Sequence, residues 1–153
     1  MTIKTILVAI DVLDADGAMR VIEGARSIAD TTGADVRLLH VLPTLPTRYS
    51  RYLRAEFEAG ARADALKELT RLVTILDRPN DTVSVVVRQG RIAAEVVAEA
   101  NARDADLVIV GAHFGVIERL MGSNAVAIMR DSACDVLVIK RSVQHLAEGP
   151  ATP

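Results

Sequence analysis

The 153-residue sequence is poor in cysteine and aromatic residues and has no tryptophan. Its single cysteine, Cys134, excludes an internal disulfide framework and is consistent with a reducing compartment. Aromatic residues make up only 3% of the chain, which argues against a surface that stacks nucleic-acid bases. The formal net charge of −2 gives no bulk attraction to nucleic acid either. We therefore expect no nucleic-acid partner.

Long apolar runs and metal-binding patterns are also missing. No apolar run approaches the roughly 20 residues that cross a bilayer, and the start Met1-Thr2-Ile3-Lys4 lacks the features of a signal peptide. The histidines His40, His113 and His145 are too scattered for a recognisable metal site. These absences predict a cytoplasmic protein with no membrane partner and no metal site of its own.

Apolar residues are plentiful and regularly arranged. Half of the residues are hydrophobic, enough for one sizeable core in a single domain. Five strand-like runs alternate with helical patterns, and this alternation predicts a parallel sheet with helices on both faces. The runs are residues 3–10, 36–42, 83–87, 107–110 and 136–139. We expect one domain over residues 1–141 and a flexible tail over residues 142–153.

The helical patterns have identifiable ends and apolar faces. Asp14 and Asp16 are candidate caps for the first helix, and Gly33 is a natural stop. The second helix is expected to bury Phe57, Ala61, Leu66, Leu69, Val73 and Leu76. A third helix follows Gly90, with Ala93, Val96, Val97 and Ala100 on one face. The fourth helix begins near Ser123 and is expected to bury Ala125, Ile128 and Met129.

A glycine-containing loop joins the fourth strand to the fourth helix. Gly111 ends the strand, Gly115 follows, and Gly122-Ser123-Asn124 precedes the helix. Unpaired N–H groups and the helix dipole make such a helix start suitable for an anion. Ser123 or Asn124 would add a hydrogen bond, or would simply cap the helix. Turns also need glycine, so the loop alone does not establish a binding site.

Three strand ends converge on the same edge of the predicted sheet. Asp11 follows the first strand, Val41 lies near the end of the second, and Gly111 closes the fourth. Ligands of open α/β sheets bind beyond the carboxyl ends of strands, where the strand order reverses. We therefore expect a ligand site there, although Asp11 would serve equally well as a helix cap.

Five segments occur in this order: Ile6–Asp11, Leu39–Val41, Ala105–Gly111, Gly122-Ser123 and Cys134–Ile139. Together they resemble the universal stress protein family over roughly residues 3–140. The resemblance implies a doubly wound five-stranded sheet with order 3-2-1-4-5, like that of the adenine nucleotide alpha hydrolases. It also implies a role in stress response or signalling and, commonly, a homodimer.

The family's nucleotide-binding members imply roles for particular residues. By resemblance, the adenosine would contact Ala9, Ile10, Asp11 and Val41. The phosphates would contact the loop and helix start at Gly111, His113, Gly115, Gly122, Ser123 and Asn124. The ligand would be ATP or another adenine nucleotide, with or without Mg²⁺. No general base is evident near Ser123 and no acidic metal-binding motif follows the loop, so hydrolysis would be slow at best.

The loop departs from the family's motif. That motif has a glycine, two residues, a second glycine, nine residues, and a third glycine followed by Ser or Thr. Here Gly111 and Gly122 are eleven positions apart instead of thirteen, and Phe114 replaces the middle glycine. Two hypotheses therefore stay open: a nucleotide-binding protein, or a nucleotide-independent interaction protein with a closed loop. An enzyme acting on a nucleotide is a third, because the fold alone does not exclude it.

The last strand is predicted to be an edge of the sheet. Its apolar residues Val136, Leu137, Val138 and Ile139 would leave an edge that favours association unless it is covered. Antiparallel pairing with a second copy across a two-fold axis would cover it. We expect a homodimer through this strand, with cover by the tail from Arg141 as the alternative.

A cluster of arginine and tyrosine precedes the second helix. Arg48, Arg51 and Arg54 recur every three residues, with Tyr49 and Tyr52 between them. A mobile lid that meets phosphates is one interpretation. A solvated first helical turn is the other, and the one we favour.

Overall fold

The computed structural model describes residues 2–112 and 122–140. The strands are β1 (Thr5–Ala9), β2 (Asp35–Leu42), β3 (Val83–Gln89), β4 (Leu107–Gly111) and β5 (Asp135–Ile139). The helices are α1 (Ala15–Thr32), α2 (Arg51–Leu76), α3 (Ile92–Ala102) and α4 (Ser123–Asp131), with a short 3-10 helix at Asn80–Thr82. The expectations for His113, Phe114, Gly115 and the tail over 142–153 lie outside the described residues.

All five strands are parallel and form one sheet in the order β3-β2-β1-β4-β5. The predicted topology is therefore confirmed. In the centre of the sheet, Ile6 of β1 pairs with Val36 of β2 on one side and Leu107 of β4 on the other. Strand ends differ slightly from the sequence patterns, because β1 begins at Thr5 and β3 continues to Gln89.

Two apolar cores lie on opposite faces of the sheet. Alternate residues of β1 illustrate the arrangement: Ile6 and Val8 pack with α1 and α2, whereas Leu7 packs with α3 and α4. Ile6, Leu7 and Val8 are all fully buried. Burial on both faces explains why the central strands appear in the sequence as unbroken apolar runs.

Helix α2 buries a different set of side chains from the one expected. Its buried residues are Ala65, Leu69, Leu72 and Leu76. Phe57 is 55% exposed and Leu66 is 38% exposed, so the prediction that both are core residues is wrong. The first fourteen residues of α2 include none that is buried, although Ala61 is partly buried against the core.

The other three helices also differ in detail from the sequence predictions. Met129 of α4 is 39% exposed, whereas Ala125 and Ile128 are buried as predicted. In α3 the buried residues are Val96, Glu99 and Ala100. Val97, which was expected on the buried face, is only partly buried. In α1, Asp14 rather than Asp16 is the cap, and its side chain accepts a hydrogen bond from the Gly17 N–H at 3.1 Å.

Arg48, Arg51 and Arg54 do not lie on one face of a helix, because α2 begins only at Arg51. Arg48 precedes the helix, and its guanidinium carbon lies 5.4 Å from the centre of the Tyr49 ring. Ser50 caps α2, accepting a hydrogen bond from the Leu53 N–H at 3.2 Å. Arg48 and Arg51 are exposed, which agrees with a solvated helix start.

We expect Gly60→Ala to raise the free energy of unfolding by about 0.5–1 kcal/mol. Gly60 lies inside α2, and a Cβ atom there would have no atom within 4 Å outside its own helical neighbourhood. The control is Gly24→Ala in α1, where the added Cβ would collide with the Ile139 side chain. Urea unfolding should show a higher free energy of unfolding for Gly60→Ala and not for Gly24→Ala. A lower free energy of unfolding for Gly60→Ala would contradict the prediction.

Candidate functional site

A cavity of about 850 Å³ opens where β1, β2 and β4 end. Ala9, Val41 and Gly111 line it from these three strand ends. The chain passes from β1 to β2 on one side, whereas β4 flanks β1 on the other, so the cavity lies at the reversal of strand order. Its volume falls within the range of about 300–1,000 Å³ that is usual for small-molecule sites.

Side chains from all four helices complete the walls. Val21 of α1, Ala65 of α2, Val96 of α3 and Ile128 of α4 each contribute a buried apolar surface. These residues belong to the two cores that hold the helices on the sheet. The inner part of the cavity is therefore built on rigid packing.

The residues proposed for a nucleotide fall into three groups. Six of them line the cavity: Ala9, Ile10, Asp11, Val41, Gly111 and Asn124. Gly122 and Ser123 are not part of its wall, but they lie at the start of α4 beside Asn124. His113 and Gly115 lie outside the described residues.

Hydrogen bonds fix the backbone at the end of β1. The Ile10 N–H donates to the Leu39 carbonyl at 2.8 Å. The Ile10 carbonyl lies 2.8 Å from Nδ1 of His40, which is 8% exposed. A carbonyl oxygen only accepts, so His40 carries its hydrogen on Nδ1 in this contact. His40 was missed as a site residue because nothing in the sequence links it to the β1 end.

Asp11 lies in a turn and also lines the cavity. Its Oδ1 accepts a hydrogen bond from the Leu13 N–H at 3.0 Å, and its carbonyl accepts one from the Asp14 N–H at 3.2 Å. The cap of α1 is Asp14, so the alternative of Asp11 as the helix cap is not what the structure shows. Asp11 remains solvent-exposed at the cavity wall.

The start of α4 retains the features of an anion site. Gly122 is the N-cap, and within the described ranges no side chain caps the helix. Ser123 and Asn124 are the first two helical residues and both are exposed. The first N–H groups of a helix have no intrahelical acceptor and carry the positive end of the dipole.

Three exposed apolar residues form a rim that the sequence interpretation missed. Leu13 is 91% exposed, Phe57 is 55% exposed and Ile92 is 42% exposed, and all three line the cavity. The i, i+4 spacing of Phe57, Ala61 and Ala65 was the available signal, because it places the ring on the same side of α2 as Ala65.

A buried carboxylate, Glu99, lies on α3 and outside the cavity wall. Glu99 is 4% exposed, and its carboxylate accepts hydrogen bonds from Arg37 at 2.6 Å, Arg88 at 2.7 Å and Arg103 at 3.4 Å. Burial alone would raise the pKa of Glu99, but the hydrogen bonds from Arg88 and Arg37 outweigh it and lower the pKa. Glu99 therefore ties α3 to β2 and β3 as a carboxylate.

Metal and membrane features are absent from the described ranges. Residues 2–112 and 122–140 contain no group of three or more His, Cys, Asp or Glu side chains arranged to hold a metal ion. Over the same ranges, no helix combines the length and apolarity that a membrane span requires.

Comparison with known proteins gives a consistent family. The model of the universal stress protein family matches residues 2–140. Universal stress protein A homolog 1 of Coxiella burnetii is 31% identical over 147 residues, covering 91% of this chain and 97% of its own. A universal stress protein in complex with cAMP is similar in fold, with a TM-score of 0.64, 20% identity and coverage of 91% and 98%.

A second solved structure repeats this fold similarity. The universal stress protein of Archaeoglobus fulgidus in complex with dAMP has a TM-score of 0.60 and 22% identity, with coverage of 92% of this chain and 100% of that one. The family match spans almost the whole chain, and the strand order is the one that the resemblance implied. The chain therefore belongs to the universal stress protein family.

Proposed function

We propose that this chain is an adenine-nucleotide binding module that acts in stress response or signalling as a cytoplasmic homodimer. The observation that supports binding most directly is the 850 Å³ cavity at the ends of β1, β2 and β4. Relatives of the same fold occur in complexes with cAMP and with dAMP. Both ligands combine adenine with one phosphate, and the cavity offers an apolar interior beside a helix start.

The proposed contacts follow from the chemistry of the wall. The adenine would lie against Ala9, Ile10 and Val41, which line the cavity from the β1 and β2 ends. The Asp11 carboxylate would accept hydrogen bonds from the ribose hydroxyls. The phosphate would lie at the α4 start, near Gly111, His113, Gly115, Gly122, Ser123 and Asn124. Mg²⁺ would be needed only for ligands with several phosphates.

The proposed dimer uses the edge of the sheet. Within residues 2–112 and 122–140, β5 pairs with β4 alone, and Leu137 in its centre is 37% exposed. Val136, Val138 and Ile139 are partly buried against the cores. An antiparallel contact with a second copy would pair the open backbone edge and bury Leu137.

The binding proposal is tested with a tryptophan at the rim. Because the chain has no tryptophan, Phe57→Trp creates a single reporter beside the cavity. We expect saturable changes in its emission with adenosine or AMP, accompanied by a higher Tm, since binding to the native state alone stabilises it by about 2.7 kcal/mol at 100 times Kd.

The matched control is Tyr52→Trp, which lies on the same helix, is 69% exposed and does not line the cavity. Its emission should stay constant while the Tm still rises. If millimolar adenosine and nucleotides change neither signal nor Tm, the binding proposal is wrong. The shortened loop between Gly111 and Gly122 would then favour a nucleotide-independent interaction protein.

A further inference from the structure

Charge is unevenly distributed around the cavity. Among the described residues of its wall, six carry carboxylates and one carries a guanidinium. The acidic residues are Asp11, Asp14, Glu56, Glu58, Asp64 and Glu68, and the basic one is Arg20. A wall with this excess of negative charge repels an anionic ligand more strongly as the ligand's charge rises.

Helix α2 contributes charged side chains of one sign to the cavity wall. Its four acidic residues all line the cavity, whereas none of its five basic residues does; those are Arg51, Arg54, Arg62, Lys67 and Arg71. Arg62 donates to the Val87 carbonyl at 2.9 Å, on β3. Arg71 pairs with Glu68 at 2.6 Å and lowers the pKa of that carboxyl. Glu56, Glu58 and Asp64 add three further carboxylates to the α2 side of the wall.

Only one helix start at the cavity is suited to a phosphate, among those the structure describes. Helix α1 begins with the Asp14 cap and has Asp16 in its first turn. Helix α3 has Glu95 in its first turn, and this carboxylate pairs with Arg88 at 2.6 Å. The first turn of α4 contains no acidic residue. One phosphate thus has a favourable position, whereas further phosphates add charge inside an acidic wall.

We infer that the cavity selects adenine ligands by phosphate number, taking the nucleoside and the monophosphate in preference to ATP. The inference rests on the proposed function and names the ligand class of the same site. Mg²⁺ partly reverses the preference, because it neutralises the additional phosphates before they enter. Salt also weakens the preference, since the Debye length falls from about 10 Å at 0.1 M to about 3 Å at 1 M.

The test compares adenosine, AMP, ADP and ATP by isothermal titration calorimetry, without Mg²⁺ and at low ionic strength. We expect AMP to bind at least about tenfold more tightly than ATP, with ADP between them. The double variant Glu58→Gln/Asp64→Asn, which removes two wall charges, should reduce the AMP-to-ATP ratio by about threefold or more.

The control is Glu23→Gln/Asp81→Asn, which changes the net charge equally at exposed positions outside the cavity. It should leave the ratio unchanged. The charge selection is overturned if ATP binds as tightly as AMP without Mg²⁺. It is also overturned if both double variants reduce the AMP-to-ATP affinity ratio equally. Either result leaves nucleotide binding itself intact. Failure of all four ligands, adenosine included, to bind overturns both this inference and the proposed function.

Discussion

Glu99→Gln is expected to lower the free energy of unfolding by about 3 kcal/mol or more, because removing one partner leaves buried charges uncompensated. The Glu99 side chain is 5% exposed and that of Arg37 is 15% exposed, so solvent replaces little of the lost interaction. A loss of this size is a large part of an ordinary stability of about 5–15 kcal/mol. Urea unfolding followed by circular dichroism measures it.

Glu95→Gln is the matched control on the same helix. The Glu95 side chain is 26% exposed and forms an ion pair with Arg88 at 2.6 Å. Its replacement should cost about 1 kcal/mol or less. Equal losses in the two variants would contradict the assignment of the larger effect to the buried carboxylate.

The same carboxylate predicts an acid-sensitive stability. The pKa of Glu99 is lower in the folded protein than in the unfolded chain. Its contribution is therefore fully present above the unfolded pKa, which is about 4.3, and is lost as pH falls through the folded pKa. Glu99→Gln should show a smaller loss of stability on acidification from pH 6 to pH 3 than the parent chain.

Leu137→Lys is expected to raise the dissociation constant of the proposed homodimer by on the order of 100-fold or more, because like charges would meet at the interface. Leu137 is the central residue of β5. In an antiparallel pair of β5 strands, the central residues lie nearest the two-fold axis, so each lysine would face its copy. Analytical ultracentrifugation across a concentration series measures the change.

Leu66→Lys provides the control for this substitution. Leu66 is 38% exposed, almost the same as the 37% of Leu137. It lies on α2, which contacts β2 and β3, and β3 is the edge of the sheet opposite β5. It should leave the association unchanged. A monomeric parent chain, or a Leu137→Lys variant that still dimerises normally, would show that β5 is not the interface.

The sheet was predictable from sequence because its strands are buried on both faces. Ile6, Leu7 and Val8 have no exposed surface, so each position requires an apolar residue and the strand is an unbroken apolar run in the sequence. The position of the cavity at the strand ends was predictable for a related reason. Asp11 and Gly111 follow such runs directly, and parallel strands bring their carboxyl ends together.

Tertiary partners decided the features that could not be predicted. Phe57 has the spacing of a core residue, but α2 carries it past the packed part of the sheet to the cavity rim. Glu99 occupies a buried position because Arg37 and Arg88 reach it from β2 and β3. Neither fact follows from local periodicity, since each depends on residues far away in the chain.

Ile139 is where the cavity and the edge of the sheet meet. It ends β5, lines the cavity, and its carbonyl accepts a hydrogen bond from the Ala112 N–H at 2.9 Å. Its side chain also lies against Gly24 of α1. A ligand that shifts Ile139 would alter the edge on which a second copy pairs. If bound ligand raises the affinity of the two copies for each other by some factor, dimerisation must raise the affinity for the ligand by the same factor.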